Sequence, residues 1–238
     1  RQGKISRMYL EAGFGRGRQN AFPPIDILPG VRVEGKIDRV DILPGSDGSS
    51  YVKIIDYKSG REKFQKEEAV SGWRLQLMLY LEGAVGGSGA HAKPAGVFYF
   101  RIDEPSANVT ECGIDELSDK IDNELIKSFQ MNGLMVEEPE VISEVAGDFV
   151  DESQVVALRR KRDGALSKSS ESLLLSAEEF GKFRQEVGQT IRKLCTELAE
   201  GEISPHPQKV KDMSACTYCG YQSVCYFDTA FSGCRYRK

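Results

Sequence analysis

Asp56, Lys58 and Asp38 are the residues whose types and spacing best suit chemistry. In Ile54-Ile55-Asp56-Tyr57-Lys58-Ser59-Gly60, residues two apart on a strand share a face. Asp56 and Lys58 therefore point one way and Tyr57 the other. Asp38 stands in Gly35-Lys36-Ile37-Asp38-Arg39-Val40-Asp41 and joins them if the intervening loop sets the register. Two carboxylates and one ammonium around a pocket suit phosphodiester hydrolysis. Mg2+ takes oxygen ligands and keeps several waters, so two Asp and a main-chain carbonyl suffice to hold it. The metal polarises the phosphate and activates a water, and the lysine orients that water or neutralises developing charge. Asp-x-Lys taken alone reads more simply as a surface ion pair. The surrounding sequence is more specific than this tripeptide.

The elements that must position these side chains are legible as patterns. A short strand is expected near Met8–Leu10. Val31–Leu43 alternates as a strand, 44–48 is a turn, and Tyr51–Lys58 returns, giving an antiparallel hairpin. Val70, Trp73, Leu77 and Leu81 recur at helical spacing, and the glycines of Gly83–Gly89 should end that helix. Ala95–Ile102 is a compact strand. Strand, strand, helix, strand around one sheet gives an α/β fold with mixed strand directions. Ile114, Leu117, Ile121, Leu125 and Phe129 mark a further helix. Ser176 and Glu179 have capping-box spacing ahead of a stripe through Phe180, Phe183, Val187, Ile191, Leu194 and Leu198. Residues 143–172 read as a loop-rich excursion or small hairpin, and the basic run Arg159-Arg160-Lys161-Arg162 within it as a solvated charge run.

Composition narrows the classes. The 238 residues are 40% hydrophobic and 29% charged, as in a folded globular chain, and apolar runs are too short to span a bilayer. No export signal is visible, and a start at Arg1 instead of Met is expected of a piece of something longer. The net charge of −4 excludes a globally basic nucleic-acid coat, but an acidic chain can still bind DNA through a local positive surface. Cys216, Cys219, Cys225 and Cys234 crowd the end of the chain, whereas Cys112 and Cys195 read as core thiols. C-x2-C-x5-C in a chain of this size points to a metal or cluster site in a reducing compartment, the cytoplasm. Four thiolates would hold a [4Fe–4S] cluster; zinc would need Cys234 or His206 as a fourth ligand.

Together, the Gly-Lys-Ile-Asp-Arg-Val-Asp run, the Ile-Ile-Asp-Tyr-Lys-Ser-Gly run and Gln76-Leu77-Met78-Leu79-Tyr80 resemble the RecB-type nucleases of the PD-(D/E)XK superfamily. The resemblance makes Asp38 the Asp of the Gly-x-Ile element, Asp56 and Lys58 the D and K of D-x-K, and Gln76 and Tyr80 the Q-x-x-x-Y pair. Gln76 and Tyr80 are four residues apart and so share one helix face. The cysteine tail looks like the iron–sulfur staple of the AddB/RexB family of ATP-dependent helicase–nuclease subunits. Glu11–Gly15, Gly133-Leu134, Leu174–Phe180 and Gly201-Glu202-Ile203 extend that likeness over most of the chain.

The resemblance implies a restriction-endonuclease-like mixed sheet flanked by helices, with an iron–sulfur tail. It implies catalytic Asp38, Asp56, Lys58, Gln76 and Tyr80, with Mg2+ or Mn2+ on Asp38, Asp56 and the Tyr57 carbonyl. Cys216, Cys219 and Cys225 would hold the [4Fe–4S] cluster, the fourth Cys lying outside this chain. The family's metal-binding His and fourth Cys precede the core, and here no His precedes His91 and no Cys precedes Cys112, as expected of a chain cut at Arg1. The implied organisation is a nuclease core over 1–135, a helical extension over 136–205 and a cysteine-rich tail over 206–238. The implied function is exonucleolytic hydrolysis of one strand unwound from a broken DNA duplex, beside an AddA-like helicase–nuclease partner. No P-loop motif occurs, so ATP binding would fall to that partner. A DNA-end-binding scaffold with a cysteine-bound metal is the alternative.

Overall fold

A computed structural model describes residues 4–17, 21–60, 62–102 and 114–237. The first strand, β1 (Arg7–Phe14), leads to a small ribbon of β2 (Ile25–Leu28) and β3 (Val31–Val33), then β4 (Gly35–Pro44) and β5 (Ser50–Lys58). Two helices follow, α1 (Lys66–Val70) and α2 (Gln76–Gly87), before β6 (Ala92–Arg101), α3 (Ile114–Ser128), β7 (Asn132–Val136) and α4 (Pro139–Ala146). The remainder holds α5 (Lys168–Glu171), β8 (Leu174–Leu175), the long α6 (Ala177–Ala199), the ribbon β9 (Lys209–Val210) and β10 (Met213–Ser214), and α7 (Gln222–Cys225).

The central sheet runs β1-β4-β5-β6-β7-β8. β4 runs antiparallel to both β1 and β5, β5 and β6 are parallel, β6 and β7 antiparallel, and β7 and β8 parallel. This is the expected mixed sheet. Ile37, Val40, Leu43, Val52, Ile54 and Val97 are fully buried in it, and Leu77, Met78 and Leu81 of α2 join the same core. Gly133 permits the close approach of β7 to β6: a Cβ there would lie 1.9 Å from the Val97 carbonyl oxygen.

Several expectations need correction. The strand expected over Val31–Leu43 is two, because β3 turns away to pair with β2 while β4 pairs with β1. The helix expected through Val70–Leu81 is also two. Gly72 takes a left-handed φ of +86°, and the Trp73 amide turns back to the Glu68 carbonyl, so the chain breaks between α1 and α2. α2 ends at Gly87, within the expected Gly83–Gly89 span, and Gly83 inside it gives room for Ile25 and Phe14. The helix expected through Ile114–Phe129 ends at Ser128.

Residues 143–172 contain the end of α4, bridges pairing Glu152 with Arg159 and Arg160 with Leu166, and the buried Val156 and Leu158. The capping box at Ser176 and Glu179 forms. The stripe of α6 is buried through Ile191, but Leu198 is 76% exposed. Cys195 is half-buried against the core, while Cys112 lies outside the described residues. Among the described residues no helix is long and apolar enough to cross a membrane.

Candidate active site

The antiparallel register of β4 and β5 pairs Asp41 with Lys53, Val40 with Ile54 and Arg39 with Ile55. Continued by one residue, it sets Asp38 opposite Asp56, and directly opposed residues share a face. The Tyr57 amide donates to Asp38 Oδ2 at 2.9 Å, which fixes that carboxylate against the end of β5. Asp56 is buried, and Lys58 Nζ lies 2.6 Å from its Oδ2.

α2 closes the same side. Lys58 Nζ donates to Gln76 Oε1 at 3.0 Å, and Gln76 Nε2 donates to the Tyr80 hydroxyl at 2.8 Å. The two ends of the amide thus have different partners, so Tyr80 helps hold Gln76 with its oxygen toward Lys58. The Tyr80 ring packs edge-on against Phe14. Behind Lys58 stands Tyr99 of β6, paired in register with Asp56, its ring 5.5 Å from the ammonium.

The electrostatics show an excess of negative charge. Burial pushes the Asp56 carboxyl above its ordinary range; Lys58 opposes this, while the charges of Asp38 and Glu62 add to it. Burial likewise raises the Tyr80 hydroxyl and pushes that of Tyr99 up to about 12. A divalent cation fits this donor set. It would relieve the repulsion that Asp38 exerts on buried Asp56, with the Tyr57 carbonyl as a further oxygen at the same strand end. The structure thus brings Asp38, Asp56, Lys58, Gln76 and Tyr80 together. Residues the sequence did not single out also border them: Glu62, Tyr99, and the ion pair of buried Glu68 with Arg74. Their only sequence signal is position, between Asp-x-Lys and Gln76 or on the next strand.

The model of the PD-(D/E)XK nuclease superfamily matches residues 2–226. The chain belongs to that superfamily. It is also similar to the B subunit of the ATP-dependent helicase/deoxyribonuclease of Clostridium botulinum strain Hall, with 35% identity covering 99% of this chain and 21% of that protein. The same-named protein of Thermoanaerobacter sp. strain X514 is 32% identical over 92% of this chain and 19% of its own length. That of Caldanaerobacter subterraneus is 34% identical over 96% and 20%. The chain therefore spans about a fifth of the relatives it matches.

The cysteine tail is less assembled than the carboxylate site. Cys216 is half-buried, and Cys219 and Cys225 are exposed. Among the described residues no three Cys, His, Asp or Glu side chains form a group able to hold a metal. Cys234 and His206 line a cleft of their own, which Cys216, Cys219 and Cys225 do not line.

Proposed function

We propose that this chain is the metal-dependent deoxyribonuclease module of an AddB-type helicase–nuclease protein, hydrolysing phosphodiesters of a strand unwound from a broken duplex end. The observation that carries the reading is buried Asp56 beside Lys58, itself held by Gln76, with Asp38 fixed at the same strand end by the Tyr57 amide. The superfamily match and the names of the relatives support it.

Asp38 and Asp56 would hold Mg2+ or Mn2+ with the Tyr57 carbonyl. When bound there, the cation polarises the scissile phosphate and makes a nearby water more acidic. Lys58, fixed between Asp56 and Gln76, has a proton left to offer a phosphate oxygen or the attacking water. The water gives a proton to solvent as its oxygen joins phosphorus, the bond to the departing sugar oxygen breaks, and solvent returns a proton to that oxygen. Binding of the DNA itself is electrostatic and falls steeply with salt. An AddA-like partner would supply the unwinding, and the cytoplasm is the compartment this role implies.

The test is digestion of end-labelled single- and double-stranded DNA with Mg2+ or Mn2+, comparing this chain with Asp56→Ala. Cutting that is lost in the variant while DNA binding persists is the expected result. Equal cutting by both chains refutes the site, and binding without cutting by either favours the end-binding scaffold. A [4Fe–4S] cluster on Cys216, Cys219 and Cys225, with a fourth Cys from outside the chain, is supported by the C-x2-C-x5-C spacing and the family likeness alone. No step of the reaction passes through it. Stoichiometric iron with broad absorbance near ~400 nm is its expected signature, and colourless protein containing zinc refutes it.

A further inference from the structure

The turn between α1 and α2 carries a charge pair that the reaction as described does not use. Glu68 is 2% exposed, and Arg74 Nε lies 3.2 Å from its Oε2. The main chain of Glu68 is committed to the same turn: its carbonyl accepts from the Trp73 amide at 2.8 Å and from Ser71 Oγ at 2.9 Å. The turn is clamped from behind by α6, where Thr190 Oγ1 donates to the Val70 carbonyl at 2.8 Å. A buried carboxylate thus forms an ion pair with a guanidinium on this turn, two residues ahead of the Gln76 that holds Lys58.

Tyr99 locates that guanidinium. Its hydroxyl is acted on by the charges of Arg74, Asp56 and Glu68 together, and its ring lies beside Lys58. Arg74 therefore borders the carboxylate pocket. Its side chain keeps 31% of its surface open, and the five N–H donors of a guanidinium exceed what Glu68 and the Tyr99 hydroxyl together take up. A pocket with an excess of carboxylates repels a polyanion, so a fixed cation at its rim answers a need of the substrate. Guanidinium is the group best matched to a phosphate diester there.

We propose that Arg74 is a DNA-phosphate-binding residue at the rim of the carboxylate pocket and that buried Glu68 is the residue that positions it. This rests on the nuclease reading. It assigns Arg74 a role in substrate affinity, separate from the chemical step.

The experiment compares the chain with Arg74→Gln, Arg74→Lys and Glu68→Gln. Binding of a fluorescent single-stranded oligonucleotide is measured in EDTA across a KCl series, and kcat and KM for its cleavage are measured with Mg2+. Arg74→Gln should weaken binding about tenfold and flatten the log–log salt slope by about 0.7, the share of one single-strand phosphate. KM should rise by a similar factor while kcat stays within about threefold, and Arg74→Lys should restore the slope. Glu68→Gln should raise KM and leave the slope unchanged, since the cation remains but is no longer held.

A wild-type slope and KM in a folded Arg74→Gln chain overturn the proposal while leaving the nuclease reading intact. A wild-type chain that binds but never cuts overturns the nuclease reading, and the salt slope still decides Arg74. Should Arg74→Gln fail to fold, phenylglyoxal labelling of the unaltered chain replaces it. Protection of Arg74 by the oligonucleotide supports the role, and equal labelling with and without DNA refutes it.

Discussion

The chain from Lys58 through Gln76 to Tyr80 makes a prediction that can be sized. Gln76→Ala deletes two bonds at once, the acceptor 3.0 Å from Lys58 Nζ and the donor 2.8 Å from the Tyr80 hydroxyl. Only the first touches a group of the proposed reaction. A hydrogen bond to a charged group is worth about 1.5–3 kcal/mol, and the exposed position of Gln76 places this one at or below the low end. About 1.4 kcal/mol corresponds to a tenfold loss in rate. Tyr80→Phe keeps the edge-on packing against Phe14 and removes only the hydroxyl that orients the amide, at roughly 0.7 kcal/mol or about threefold. If the hydroxyl acts through Gln76, the double variant should be no slower than Gln76→Ala within about twofold, whereas independent actions would multiply to about thirtyfold. Single-turnover cleavage of an end-labelled oligonucleotide at saturating protein measures all four rates, with thermal melts confirming the fold of each. A multiplicative double variant, or Tyr80→Phe slower than Gln76→Ala, refutes the chain and gives Tyr80 a contact of its own with the substrate.

Two further predictions follow from the same geometry. Asp56 is raised by burial and by the neighbouring acids, so above the ordinary Asp range the native carboxyl keeps a proton that the unfolded chain has released. Metal-free stability should therefore fall as pH rises through that window, and cutting, which needs the ionised group, should climb across it; raising Mg2+ should move the rate limb to lower pH, and a limb indifferent to Mg2+ refutes Asp56 as a ligand. Gly133→Ala would drive a Cβ to within 1.9 Å of the Val97 carbonyl oxygen and force β6 and β7 apart. A loss of about 3 kcal/mol in chemical denaturation is expected, and a loss under about 0.5 kcal/mol would show that the strands part freely.

What was legible in the sequence was what is decided locally. The hairpin could be read because alternation and turn chemistry fix strand direction, and with it the shared face of Asp56 and Lys58. The Ser176–Glu179 cap could be read because it spans three residues and needs nothing else. The split at Gly72 was hidden, since Val70, Trp73, Leu77 and Leu81 keep helical spacing across a break that only a left-handed φ reveals. The structure buried in 143–172 was hidden for a tertiary reason. Ser153 and Ser170 are buried polar residues, satisfied by the Ala146 carbonyl and by the Arg159 backbone, partners invisible before the chain folds. Glu68 and Arg74 were missed likewise, because an acid and an arginine six residues apart carry no signal until burial makes one of them need the other.

The same two strands contain a second acidic centre, and comparing the two explains why only one suits a metal. Asp41 is fully buried on the opposite face, where Arg39 grips it at 2.8 and 3.0 Å and Lys53 Nζ lies at 2.8 Å. One carboxylate there has two cations, and burial lowers the Lys53 ammonium against the pull of Asp41. A divalent ion entering that centre would meet three groups with a net positive charge and no free oxygen, so the triad is closed to it. Three residues along β4 the balance shifts: Asp56 has Lys58 alone, and Asp38 is held by the Tyr57 amide at the open end of the strands. Both centres are built from a few charged side chains set by strand register. The difference lies in charge count and in access, so the function of each carboxylate follows from how many cations the fold has already given it.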